Sequence, residues 1–295
     1  MSTPSSKSQI FWQRLGSTFG LWVIILPALF ATNSAVTNLS FLLIVSLLGI
    51  IGIREYAQMF SQTPTPVLLW PTIVTGLTIL LFSSMRGWQP SFIPSALTSQ
   101  ELDILIPTLL LLWLLGYKLW LSGRVPLASL AVSLMGWFYT FWLLTFITKI
   151  YYFPAINGSW LLLYFILVTK FSDLGAYVIG SLCGRHKMTP RISPGKTWEG
   201  FAGAIGVSTL VSVITVYATG SALEPFRGAH CIVLGILLSG LAVVGDLVES
   251  LLKRETGVKD SGNLFPGIGG CLDLIDSLLF NAPLFYLYCR LALTN

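Results

Sequence analysis

The sequence predicts an all-α, polytopic integral membrane protein of about nine transmembrane helices, with its N-terminus in the cytoplasm. The first observation behind this is compositional. Of 295 residues, 54% are hydrophobic and 10% charged, and the mean hydropathy is +0.79, which excludes an ordinary soluble domain. The second is that the apolar runs approach or exceed the ~20 residues a helix needs to cross the hydrocarbon. They do not alternate in short segments as spanning strands would. The third is the placement of charge: the N-in orientation leaves twelve of the 17 Lys and Arg residues inside and four outside, with Lys170 in a span, as the positive-inside rule requires.

Taken in order, residues 1–18 are polar, carry Lys7 and Arg14, and include an Ile10, Phe11, Trp12 cluster suited to the membrane surface. A basic start before the apolar run from Phe19 also fits a signal peptide, but no A-x-A cleavage site follows. Apolar segments then run over 19–32, 39–53, 67–85, 102–121, 125–148, 159–182, 199–219, 229–252 and 272–292. The third contains Pro71 and gives onto a Pro- and Ser-rich stretch, 86–99, that reads as an external loop. Nine spans put the C-terminus outside.

Two regions follow from where the ionisable groups fall. Residues 1–150 carry few and read as packing helices that give lipid access. Residues 151–295 read as the catalytic region, with cytoplasmic loops 183–198 and 253–271. Cys183, Cys231, Cys271 and Cys289 have no paired spacing, and His186 and His230 have no second ligand nearby, so neither a disulfide framework nor a zinc site is indicated. The net charge of +5 lies at membrane edges, which argues against a nucleic-acid partner. A homodimer is compatible with the sequence.

The chemistry concentrates between Gly245 and Asp276, where six acidic and three basic side chains interrupt an oily chain. Asp246, Glu249, Ser250 and Lys253 follow i, i+3, i+4, i+7 spacing along one helical stripe, and Asp273 with Asp276 repeats the i, i+3 step. Carboxylates inside a membrane are costly and mark functional sites. Lys170 and Asp173 form a further charged pair within a span; a purely structural ion pair is the competing reading. The loop with Arg185, Lys187, Arg191 and Lys196 suits a phosphate-bearing substrate held with a divalent metal, or anionic lipid headgroups. Gly195-Lys196-Thr197 imitates the end of a P-loop, but Pro190 stands where that motif needs glycine. Lys253, Arg254, Lys259 and Asp260 lead into a glycine-rich turn with Gly269 and Gly270 that can bring amides to an anion. Asp273-x-x-Asp276 directly after it suits oxygen-only Mg²⁺ coordination.

At these residues the chain resembles the phosphatidate cytidylyltransferase (CDP-diacylglycerol synthase) family. Ser250, Lys253, Arg254, Lys259, Asp260, Gly262, Pro266, Gly269, Gly270, Asp273 and Asp276 match the family signature in register. Ser172-Asp173, Ser193-Pro194, Lys196 to Gly200 and Gly245-Asp246 extend the resemblance to about residues 165–285. Three positions depart from it: Ile268 stands where the family has histidine, Leu274 where it has arginine, and Cys271 where it has an aliphatic residue.

The resemblance implies an enzyme joining CTP to phosphatidate, making CDP-diacylglycerol and pyrophosphate with one or two Mg²⁺ ions, at the cytoplasmic face of a bacterial inner membrane. It implies Asp246 and Asp273 as metal ligands, Asp173 and Glu249 as their support, and Lys196 with Asp276 as an ion pair. Arg191, Arg254 and Lys259, with Lys253, Asp260, Gly269 and Gly270, would bind substrate. The runner-up is a cytidylyltransferase or CTP-dependent kinase acting on another polar lipid, motivated by Leu274 and Ile268. From other classes, an ion-coupled transporter would use the same buried charges as a relay, although no internal repeat is evident, and an inactive paralogue would keep them without turnover.

Overall fold

The computed structural model describes the backbone of residues 7–88, 99–120, 126–154, 156–266 and 269–293. Nearly all of it is helical: α1 (Lys7–Phe30), α2 (Ser34–Met59), α3 (Leu69–Trp88), α4 (Ser99–Trp120), α5 (Leu127–Trp137), α6 (Leu143–Tyr151), α7 (Gly158–Cys183), α8 (Trp198–Ala218), α9 (Ala229–Glu255) and α10 (Cys271–Leu293). A π-helical turn, Phe138–Trp142, lies between α5 and α6. The helix starts are where short polar side chains can take orphan amides. Asn33 accepts from Ala35 N at 2.9 Å, Asn157 from Ser159 N at 3.1 Å, and Thr197 from Gly200 N at 3.1 Å.

All nine apolar segments are helical, but among the described residues seven helices are long and apolar enough to cross a membrane. The two other helices, α1 and α3, have shorter apolar parts, Phe19–Phe30 and Leu69–Met85, so seven of the nine expected spans are shown. The loop 183–198 is also more ordered than expected. It holds an antiparallel hairpin of β1 (Lys187–Thr189) and β2 (Ser193–Thr197), with Lys187 opposite Thr197 and Thr189 opposite Ser193. Most of the stretch 86–99, and Ile268, lie outside the described residues.

The chain forms two compact units, residues 1–141 with 256–274 and residues 142–255 with 275–295. The first is cored by Ile53, Tyr56, Ile79, Leu80, Leu110, Trp137 and Phe141. Glycines admit its large rings, Gly136 facing Tyr56 and Gly76 facing Phe141. The second is centred on Tyr164, Phe165, Phe226 and Phe285, with centroids 5.5 Å apart for Tyr164 and Phe226 and 5.1 Å for Phe165 and Phe285. There α7 and α8 meet at Gly175 and Gly203, where a Cβ would strike Val207 or Ile179. Large apolar side chains such as Leu43, Leu112, Leu182 and Leu210 remain exposed, as lipid-facing residues do. The chain is an integral membrane protein.

Candidate functional site

In the second unit, α9 and α10 approach at Gly245, where a Cβ would meet the Phe280 Cβ and stand 3.2 Å from the Asp276 carbonyl oxygen. That approach brings Asp246 and Glu249 to Asp276, and one carboxylate oxygen from each lies within 4.8 Å of the others. Glu249 and Asp276 are buried and Asp246 is half-buried. Two ligands on opposite sides of a Mg²⁺ ion would be about 4.2 Å apart, from metal–oxygen distances of 2.0–2.1 Å. The three oxygens could hold a hard divalent cation only by moving closer together, since at most two of them can lie on opposite sides of it. All donors are oxygen, as such an ion requires.

Three lysines border the acidic group. Lys196, at the end of β2, pairs with Asp246 Oδ2 at 2.8 Å and donates to the Val243 carbonyl at 2.9 Å. Its anionic partner is thus Asp246, not the Asp276 that the resemblance implied. Lys253 pairs with Glu249 Oε2 at 2.7 Å, both buried. Lys170 donates to Asp173 Oδ2 at 3.2 Å and to Ser277 Oγ at 2.9 Å, and Ser277 Oγ donates to Asp173 at 3.0 Å.

Further along α10, Asn281 Nδ2 donates to Thr169 Oγ1 of α7 at 3.1 Å and to the Leu238 carbonyl of α9 at 2.9 Å. Neither Ser277 nor Asn281 was singled out from the sequence. Their spacing of four from each other on α10 was the available signal.

Asp273 belongs to the first unit, where Ser261 lies against the start of α10. Phe265 and Gly269 exchange backbone hydrogen bonds at 2.9 and 3.0 Å. Gly269 sits at φ 117°, a conformation that favours glycine. The Asp273 carboxylate accepts on Oδ2 from Ser261 N at 3.2 Å, Ser261 Oγ at 2.9 Å and Gly270 N at 2.7 Å. The Gly270 amide, expected to face an anion, is therefore directed at Asp273. A buried carboxylate that sequence reasoning missed, Glu55 of α2, accepts from Cys271 N and Leu272 N, each at 2.8 Å.

The hairpin is fastened at both ends. At its base Glu199 accepts from Arg185 N at 3.1 Å and pairs with His186 Nδ1 at 2.5 Å, which gives the His186 ring a structural task. Near its tip Arg254 Nε donates to the Ile192 carbonyl at 3.3 Å. Arg185, Lys187, Arg191, Lys259 and Asp260 are exposed.

A buried acidic group bordered by lysines, with an exposed basic hairpin beside it, is what a phosphate-handling enzyme in a membrane needs. Residues 12–292 match the family model described as the cytidylyltransferase family. The chain belongs to that family. It is 31% identical to the phosphatidate cytidylyltransferase of Haemophilus influenzae, over 94% of this chain and 98% of that one. It is 35% identical to the uncharacterized protein YnbB of Escherichia coli, over 62% of this chain and 63% of that one. With the phosphatidate cytidylyltransferase of Staphylococcus haemolyticus it shares 42% identity over 45% of this chain, spanning half of that protein.

Proposed function

We propose that this protein transfers the cytidylyl group of CTP to phosphatidate, forming CDP-diacylglycerol and pyrophosphate in phospholipid synthesis. The observation that carries this is the similarity along nearly the whole chain to the Haemophilus phosphatidate cytidylyltransferase. An oxygen of the lipid phosphate attacks the α-phosphorus of CTP, and the bond to the bridging oxygen on the β side breaks as pyrophosphate leaves. No protein nucleophile is required, so positioning and charge neutralisation supply the catalysis.

One or two Mg²⁺ ions, when bound, neutralise the triphosphate and polarise its phosphoryl oxygens. Asp246 and Asp273 are the proposed ligands. Asp246 acts with Glu249 and Asp276, whose oxygens lie within 4.8 Å of one another, and Asp273 is held by Ser261 and the Gly270 amide. Lys196 orients Asp246, and Lys170 keeps Asp173 in place. Arg191, Arg254 and Lys259 are the proposed phosphate contacts. The reading places the site at the cytoplasmic face of a bacterial inner membrane, where CTP is available.

Purified protein in detergent, given labelled CTP, Mg²⁺ and phosphatidate, is expected to release pyrophosphate and form a labelled lipid. A second lipid phosphate as acceptor is favoured by Leu274, which stands where arginine is expected. Turnover with an isoprenoid phosphate but not with phosphatidate would establish that alternative. No turnover with any lipid phosphate would overturn both.

A further inference from the structure

We infer that Glu55 and Ser261 are positioning residues that fix Asp273 for the reaction, which makes α2 part of the catalytic apparatus. This rests on the cytidylyltransferase reading above and on Asp273 as a metal-binding carboxylate.

The argument begins with a missing cap. Helix α10 starts at Cys271, so Gly270 is its N-cap residue and has no side chain to accept the first amides. A helix start normally satisfies those groups with a Ser, Thr, Asp or Asn oxygen, and often with an acidic residue three positions on that reaches back. Asp273 does reach back, accepting from Gly270 N at 2.7 Å. The oxygen that Gly270 lacks comes from Glu55, 216 positions before Cys271. Glu55 accepts from Cys271 N through Oε1 and from Leu272 N through Oε2, each at 2.8 Å. The positive end of the helix dipole makes this buried site favourable for an anion.

Ser261 joins the two carboxylates. Its hydroxyl lies 2.9 Å from Asp273 Oδ2 and 3.4 Å from Glu55 Oε2, and its amide donates to Asp273 at 3.2 Å. Glu55 and Ser261 are only 5% and 4% exposed. Three donors therefore converge on one oxygen of Asp273, which fixes the plane of the carboxylate and the direction of its other oxygen. The glycines around them make the room. A Cβ on Gly262 would collide with the Glu55 carboxylate, and one on Gly270 with Ser261 Oγ and Glu55 Oε2. Two glycines of the family signature thus accommodate a carboxylate from outside that signature.

Two variants test this, Glu55→Gln, which keeps the shape and removes the charge, and Ser261→Ala, which removes the bridge. The first readout is the Mg²⁺ dependence of pyrophosphate release. Loss of a residue that orients a metal ligand typically costs 10–100-fold in metal affinity. The half-saturating Mg²⁺ concentration is expected to rise about tenfold in each variant, with most of the turnover recovered at high Mg²⁺. A residue needed only for folding would instead lower turnover equally at every Mg²⁺ concentration.

The second readout needs no turnover. Hydrogen exchange in full-length protein in detergent is expected to accelerate at Cys271 and Leu272 in Glu55→Gln, and also at Gly270, whose amide bonds Asp273 and not Glu55. If Gly270 exchange and the Mg²⁺ dependence of pyrophosphate release match the parent in both variants, the positioning role is overturned. If the parent itself uses no lipid phosphate, the enzyme reading fails, and exchange at Gly270 alone decides whether Glu55 holds Asp273.

Discussion

Lys196 Nζ stands 2.8 Å from Asp246 Oδ2 and 2.9 Å from the Val243 carbonyl oxygen, so the end of the β-hairpin is tied to α9 one turn below its acidic stripe. Lys196→Met removes that tie and leaves Asp246 without its cation. Asp246 is 42% exposed, so the folding cost is about 1 kcal/mol or less. The effect on turnover is larger, about 10–100-fold, because an orienting partner of a proposed ligand is lost. Kinetics of Lys196→Met and Lys196→Arg check this; parent rates in the methionine variant would show that Lys196 has no part in turnover.

Asp246→Asn and Asp273→Asn are each expected to abolish pyrophosphate release while the protein stays folded and membrane-inserted. Asparagine keeps the volume but removes the negative charge a hard divalent cation requires. Chelation of divalent metal from the parent should have the same result, reversed by adding Mg²⁺. Near-parent rates in either variant at limiting Mg²⁺ would place the metal elsewhere.

The helices were legible in the sequence because a spanning helix must hide every backbone polar group within itself, which forces long apolar runs with polar breaks. Which helices cross the membrane is less legible, because α1 and α3 run on beyond their apolar parts, Phe19–Phe30 and Leu69–Met85. The hairpin 187–197 escaped because strands of three and five residues carry no readable alternation. The stripe Asp246, Glu249, Lys253 was visible as helical spacing. Glu55 was not, since its partners Cys271 and Leu272 are far away in sequence and are backbone amides, which no side-chain pattern records.

Lys170→Met tests whether the membrane-embedded pair is structural. Removing one member of a fully buried pair costs about 3–5 kcal/mol. Here the side chains are 25% and 38% exposed, and Asp173 keeps the hydroxyl of Ser277 at 3.0 Å, so about 2 kcal/mol is expected. Thermal unfolding in detergent should show the loss, and the Lys170→Met, Asp173→Leu double variant should recover part of it. A Lys170→Met variant as stable as the parent would show that the pair adds nothing to stability.

The orientation of the site is tested at Pro190, an exposed residue between β1 and β2. The turn is short, with Ile192 N donating to the Thr189 carbonyl at 3.2 Å, and Pro190 contributes no amide to it. Pro190→Cys in a background lacking the four native cysteines should therefore leave the hairpin intact. The proposed function puts this hairpin on the cytoplasmic side, where CTP is found. The thiol is expected to react with a membrane-impermeant maleimide in inside-out vesicles but not in intact cells. Labelling from outside intact cells would reverse the topology, and because Lys196 of the same hairpin pairs with Asp246, it would also separate the acidic site from its nucleotide.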